Sequence, residues 1–129
     1  MRVHHLALRA DDVVKLADFY ERLVGLPIER RNLPRSIWLR AGDTLVMIEQ
    51  RAKGEPTVDG RTKELVAFSC RPTERGAVEA RLVAGGVIIE EETDFTMYFR
   101  DPEGRRVALS HYPETEDPQD PPGASRPTK

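Results

Sequence analysis

The chain has 129 residues, 39% hydrophobic and 33% charged, a length for one domain that buries an ordinary core. Its formal net charge is −2, so no global field draws it to nucleic acid or an anionic membrane, and no apolar run approaches the ~20 residues of a membrane span. A single cysteine, Cys70, excludes an intrachain disulfide; with no signal-peptide pattern at the N-terminus, a cytoplasmic protein is expected.

In chain order, VHHLALRA alternates as a strand does. Leu6 and Leu8 share one face and His5, Ala7 and Arg9 the other. The leucines must face a helix layer, which leaves His4 at that layer's rim and His5 on the opposite, open face. DDVVKLADFYERLVGLP then reads as a helix. Asp11 or Asp12 caps it, Val13, Leu16, Phe19 or Tyr20 and Leu23 recur at helical spacing, and Gly25 and Pro27 stop it. Three strand-like runs follow, around PIERR, SIWLR and TLVMIEQ.

After the linker AKGEPTVDG the order repeats. ELVAFSC is a strand, RPTERGAVEARLVAGG a helix capped by Thr73 and stopped at Gly85–Gly86, and VIIEEE, FTMYFR and RVALSHY are further strands, the last two joined by the turn DPEG. Adding 60 carries Ala7 to Ala67, Gly25 to Gly85, Trp38 to Tyr98 and Arg40 to Arg100; after the second turn an offset of 62 pairs Val46 with Ala108. The expected fold is α+β: two βαβββ modules, at about 1–50 and 64–112 with a linker at 51–63, forming a curved mixed-sheet trough with helices on its outer face. The Pro-rich segment 113–129 has no large apolar residue before its end and is expected to be a disordered tail.

HHLALRADDVVKLADFYERLVGLP and YFRDPEGRRVALS resemble the vicinal oxygen chelate superfamily, which includes glyoxalase I, extradiol dioxygenases, fosfomycin-resistance and bleomycin-resistance proteins. The resemblance covers residues 3–112 and is specific for fold rather than reaction. It implies up to four metal ligands pointing into the trough, a His or Gln on each first strand and a Glu on each last strand. Carried onto this sequence, those positions are His5, Leu65, Val46 and Ala108, so one ligand of four is present. A lone imidazole does not hold a divalent cation; three protein ligands are the usual minimum at a catalytic zinc. A divalent metal would need His5 with Glu49 or His111, both of which simple alternation turns away from the trough.

Without metal, the predicted pocket is lined by His5, Ala7, Trp38, Val46, Ile48, Leu65, Ala67, Ser69, Tyr98, Ala108 and Ser110. This is an apolar, aromatic-flanked surface suited to a small molecule that stacks on Trp38 or Tyr98. His5 is the candidate catalytic base or hydrogen-bonding group, since imidazoles titrate near neutrality. Arg40 and Arg100 are expected in ion pairs, and Cys70 in the core. The sequence therefore points to a small-molecule-binding protein that uses no cofactor and forms a homodimer, with no nucleic-acid or membrane partner. The alternative is a metal-dependent glyoxalase- or dioxygenase-type enzyme with an atypical ligand set.

Overall fold

The computed structural model describes residues 1–119. Strand β1 (His5–Ala10) leads to helix α1 (Val13–Asp18), which continues in π-helical geometry over Phe19–Val24, and then to strands β2 (Ile28–Asn32), β3 (Ser36–Ala41) and β4 (Thr44–Gln50). The second half has β5 (Leu65–Ser69), a 3-10 turn (Pro72–Glu74), helix α2 (Arg75–Ala84), β6 (Glu91–Glu92), β7 (Thr96–Arg100) and β8 (Arg106–Ser110). Strand, helix and three strands thus occur twice, and the fold is α+β. Each half forms a four-stranded mixed sheet, ordered β1-β4-β3-β2 and β5-β8-β7-β6. In each, the first strand runs parallel to the last and the other pairs are antiparallel.

Local chemistry sets the helix ends. Asp12 is the α1 N-cap, its Oδ1 accepting from the Lys15 N–H at 3.0 Å. The helical segment stops at Gly25, whose φ of 102° lies in the left-handed region. Arg81 of α2 donates to the free carbonyls of Leu23 and Val24 at 3.3 and 3.4 Å, so one half caps the other's helix. Thr73, the expected cap of α2, does something else. The helix begins at Arg75, and Thr73 donates its hydroxyl and N–H to the carboxylate of Asp117. The expected strand VIIEEE shrinks to Glu91–Glu92, because only these residues pair with β7, and Ile88 is exposed. Of the expected disordered tail, residues 120–129 lie outside the described residues.

Both halves share one core. Leu8, Leu39, Val46 and Ile48 pack under α1, while Met97, Phe99, Val107 and Leu109 belong to the same buried cluster from the second sheet. Phe19 meets Phe99 at a ring-centroid distance of 6.1 Å, and Tyr20 meets Phe68 at 6.1 Å. Burying a side chain of this size stabilises by about 1.5–3 kcal/mol, so the seam between halves is a large part of what holds the chain folded.

Strand pairing corrects the repeat. Met47 lies opposite Ala7 and Trp38 in the first sheet, as Ala108 lies opposite Ala67 and Tyr98 in the second. The counterpart of Ala108 is therefore Met47, not Val46. Arg40 pairs with Leu45 across four residues and Arg100 with Arg106 across five, so the second turn is longer by one residue rather than two. A slip of one residue reverses the face of every side chain on the strand. Val46 and Ile48, expected in the trough, are 0% exposed among the core residues, and the open face of β4 carries Leu45, Met47 and Glu49.

Candidate functional site

The open face of the first sheet is built in rows. Ala7, Met47, Trp38 and Arg30 are cross-strand neighbours from β1 to β2, and His5, Leu45 and Arg40 form the adjacent row. A register shift between Ile28 and Arg30 re-aims the edge strand: Ile28 lies opposite buried Leu39, yet Arg30, two residues on, lies opposite Trp38. In the second sheet the corresponding rows are Ala67, Ala108, Tyr98 and Glu91, then Leu65, Arg106 and Arg100, with Ser69 opposite Ser110 beyond them. Apart from Val46 and Ile48, the sequence-predicted lining residues thus fall on the open faces of the two sheets.

His5 is exposed and its ring tilts against Trp38, with centroids 5.5 Å apart. Its Nδ1 lies 3.0 Å from Nδ1 of His4, so one ring donates and the other accepts. His4 is not at the helix rim. It precedes β1, so strand alternation does not govern it, and it borders a cavity of about 610 Å³ with Glu29, Arg30, Asn32, Trp38 and Leu45. Arg40 grips Glu29 with Nη2 2.8 Å from both carboxylate oxygens, as the expected ion pairing requires. Arg100 likewise meets Glu90 at 2.9 Å.

A second cavity, of about 510 Å³, lies where edge strands β1 and β5 approach each other, with Val3, Leu6, Leu26, Val66 and Phe68 in its lining. Leu6, Val66 and Phe68 have the parity of the helix-facing residues, but Ala67 and Ser69, two of the predicted pocket residues, line it as well, so the cavity takes in both faces of β5. Cys70 is half-buried against the core, and burial pushes its thiol pKa up.

The DPEG turn is occupied by structure rather than chemistry. Asp101 is buried, accepting from the Tyr20 hydroxyl at 2.6 Å, Arg105 Nη1 at 2.8 Å, and the N–H groups of Glu103 and Arg105. Burial, then the Asp101 charge, pushes the Tyr20 pKa well above the ordinary phenol value. Arg51 joins Asp11 to Glu103, and Arg105 Nη2 reaches the Arg9 carbonyl at 3.1 Å. Arg9 binds both Glu49 and Glu55, and its hydrogen bond holds the Glu55 carboxyl down at about 2.

The residues present do not fit a resident divalent metal. The register places Met47, Leu65 and Ala108 at three of the four positions where the resemblance expects ligands, with His5 at the fourth. Among the described residues, no group of three or more His, Cys, Asp or Glu is arranged to hold a metal ion. Glu49 does share the open face with His5, contrary to the alternation read from the sequence, but it stands opposite Arg9 and is bound to it. His111 follows β8, with Nδ1 against the Glu114 carbonyl and its ring against Phe95.

Sequence reasoning missed His4, Arg30, Asn32, Leu45 and Met47 on this face. Leu45 and Met47 follow from a one-residue correction to the repeat. Arg30 follows from the bulge, which leaves no signature in PIERRN.

A family model described as the Glyoxalase/Bleomycin resistance protein/Dioxygenase superfamily matches residues 2–123. Among solved structures, the chain is similar to the fosfomycin resistance protein FosX of Listeria monocytogenes, with a TM-score of 0.73 at 17% identity over 85% of this chain and 90% of that one. It is also similar to lactoylglutathione lyase from Agrobacterium tumefaciens, with a TM-score of 0.68 at 19% identity over 86% and 93%. A possible glyoxalase from Bacillus cereus gives 0.71 at 21% identity over 85% and 98%. At these identities the likeness is one of fold. No curated protein matches the chain. Among the described residues no helix is long and apolar enough to cross a membrane.

Proposed function

The chain belongs to the glyoxalase/bleomycin resistance protein/dioxygenase superfamily, and from that premise we propose that it binds a small, largely apolar or aromatic molecule on the open face of its sheets, without a resident metal. The observation that carries this reading is the replacement of three expected ligand positions by Met47, Leu65 and Ala108. One imidazole cannot supply the three protein ligands that a catalytic metal needs. Of these, half-buried Met47 and exposed Leu65 offer surface to an apolar ligand, worth about 25 cal/mol per Å² removed from water, while fully buried Ala108 supplies no carboxylate. Trp38 supplies a ring for stacking, and His5 and His4 supply hydrogen-bonding nitrogens beside it.

The working unit in this reading is a cytoplasmic homodimer. Supporting the dimer, β1 and β5 are each hydrogen-bonded on one side only among the described residues, and such strand edges invite pairing or cover. Light scattering at micromolar concentration checks it, with twice the chain mass expected.

Elemental analysis tests the central claim. Protein purified without chelator or affinity tag is incubated with zinc, manganese, nickel or iron(II), then freed of unbound ion. No stoichiometric metal is expected in any sample. One ion per chain in any of them overturns the reading and makes His5 the first residue to substitute.

A further inference from the structure

The two halves are copies, so each serves as a control for the other. In the second sheet the aromatic Tyr98 is half-buried, as Trp38 is, but a ring face is taken by a cation of the same chain. The Arg106 guanidinium lies 4.3 Å from its ring centroid, and Arg106 Nη2 bonds Glu91 at 3.0 Å. Glu91 is also the cross-strand partner of Tyr98. The ring is thus covered by a cation whose charge is matched by an acid, and Arg106 itself is only 7% exposed. Among the described residues its Nε has no hydrogen-bond partner, with Glu90 Oε2 at 3.9 Å, consistent with a guanidinium placed for the ring rather than for a full set of acceptors.

The first sheet has the same positions filled differently. The register makes Leu45 the counterpart of Arg106, since they lie opposite His5 and Leu65 respectively. The counterpart of Glu91 is Arg30, the cross-strand partner of Trp38. Among the described residues the Trp38 ring therefore has no covering cation, and its cross-strand neighbour is a basic rather than an acidic group. Arg30 is exposed and makes no ion pair among the described residues. Among the described residues the only acid bordering the cavity, Glu29, is held by Arg40 through both oxygens. The bulge that turns Arg30 onto this face sits directly beside Trp38, and bulges commonly re-aim side chains next to binding sites.

We infer that the cavity on the first sheet takes a planar aromatic anion, an arene carboxylate in the first instance, with its ring against Trp38 and its carboxylate on Arg30. A guanidinium presents two parallel N–H groups that match a carboxylate, and that pairing is the stronger kind of hydrogen bond. Asn32 adds an amide at the same rim, and Leu45 an apolar wall. On the second sheet Arg106, paired with Glu91, already holds the stacking face of Tyr98 and its charge is matched, so the first sheet is the preferred place for this ligand. The inference rests on the metal-free binding reading and adds the charge and the location of the ligand.

Isothermal titration of the full chain with 2-naphthoate and its neutral isostere 2-naphthamide, each up to millimolar concentration, tests it. Naphthoate is expected to bind about tenfold tighter than the amide, the usual weight of one charge-assisted pair at an accessible site. Arg30→Gln, an exposed edge-strand change that leaves the core intact, removes that tenfold preference while amide binding stays the same. Arg106→Gln, which uncovers the Tyr98 ring, leaves the tenfold preference for the acid in place. If acid and amide bind equally and Arg30→Gln changes neither, the anion proposal fails and the aromatic-binding reading stands. Should Arg106→Gln rather than Arg30→Gln abolish the preference, the ligand sits on the second sheet and the proposal fails on location. Binding of neither probe overturns both.

Discussion

Tyr20 and Asp101 place a phenol and a carboxylate inside a shared apolar core, which burial alone would oppose. Every oxygen is accounted for: the carboxylate accepts from Tyr20, Arg105 and two backbone N–H groups. Tyr20→Phe removes one donor and leaves Asp101 with the others, so a loss of about 1–2 kcal/mol is expected from urea denaturation. The same pair predicts an alkaline limit. Tyr20 has its pKa raised in the folded chain. The stability it contributes is complete below the ordinary phenol pKa of about 10 and is lost as pH rises toward the folded value. Tyr20→Phe should flatten the alkaline limb of a melting-temperature profile; an unchanged limb would assign it to other groups. Glu55 gives the opposite sign. Its carboxyl is held at about 2 by Arg9, so its contribution is present above the unfolded pKa of about 4.3 and is lost as pH falls from there toward 2. Glu55→Gln should make melting temperature less sensitive to pH across that window.

At the scale of elements, strand β4 decides what the open face contains. TLVMIEQ holds four consecutive apolar residues, Leu45 to Ile48, so it shows no alternation by which to assign a face. Its register in sequence therefore rests on the length of a turn, and the sequence does not show how many turn-flanking residues join the ladder. Strands with true alternation were legible: Leu6 and Leu8 against His5 and Ala7, Val66 and Phe68 against Ala67 and Ser69. The bulge in β2 was not, since nothing in the sequence of PIERRN marks it. The register has a sharp test. Val46 is fully buried and Met47 is not. Val46→Asp buries an unpaired charge and should cost about 3 kcal/mol or more, or prevent folding. Met47→Asp should stay within about 1 kcal/mol by chemical denaturation. The reverse order would restore the offset of 62 and with it a trough lined by Val46 and Ile48.

Over the whole molecule, two modules too small to bury a core of their own are joined by one. The repeat left this joint hidden, because Phe19, Tyr20, Phe99 and Asp101 lie far apart in sequence and belong to different modules. Polar contacts run along the same seam. Arg51 bridges Asp11 and Glu103, Arg81 caps the first half's helix, and Arg105 reaches the Arg9 carbonyl. Neither half keeps its apolar face covered if the other opens, so the chain should unfold in one step. Trp38, the only tryptophan, reports the first sheet, while far-ultraviolet circular dichroism reports both. Their urea transitions should coincide. Phe99→Ala is the sharper experiment, since it removes a second-half ring packed against Phe19. A cost of about 3–5 kcal/mol is expected, and it should move the Trp38 transition as far as the dichroism transition, although residue 99 is in the other module. A Trp38 transition that holds its midpoint while the dichroism splits in two would mean that the first module folds alone. The open face carrying Trp38 and Arg30 would then be supported by its own module alone.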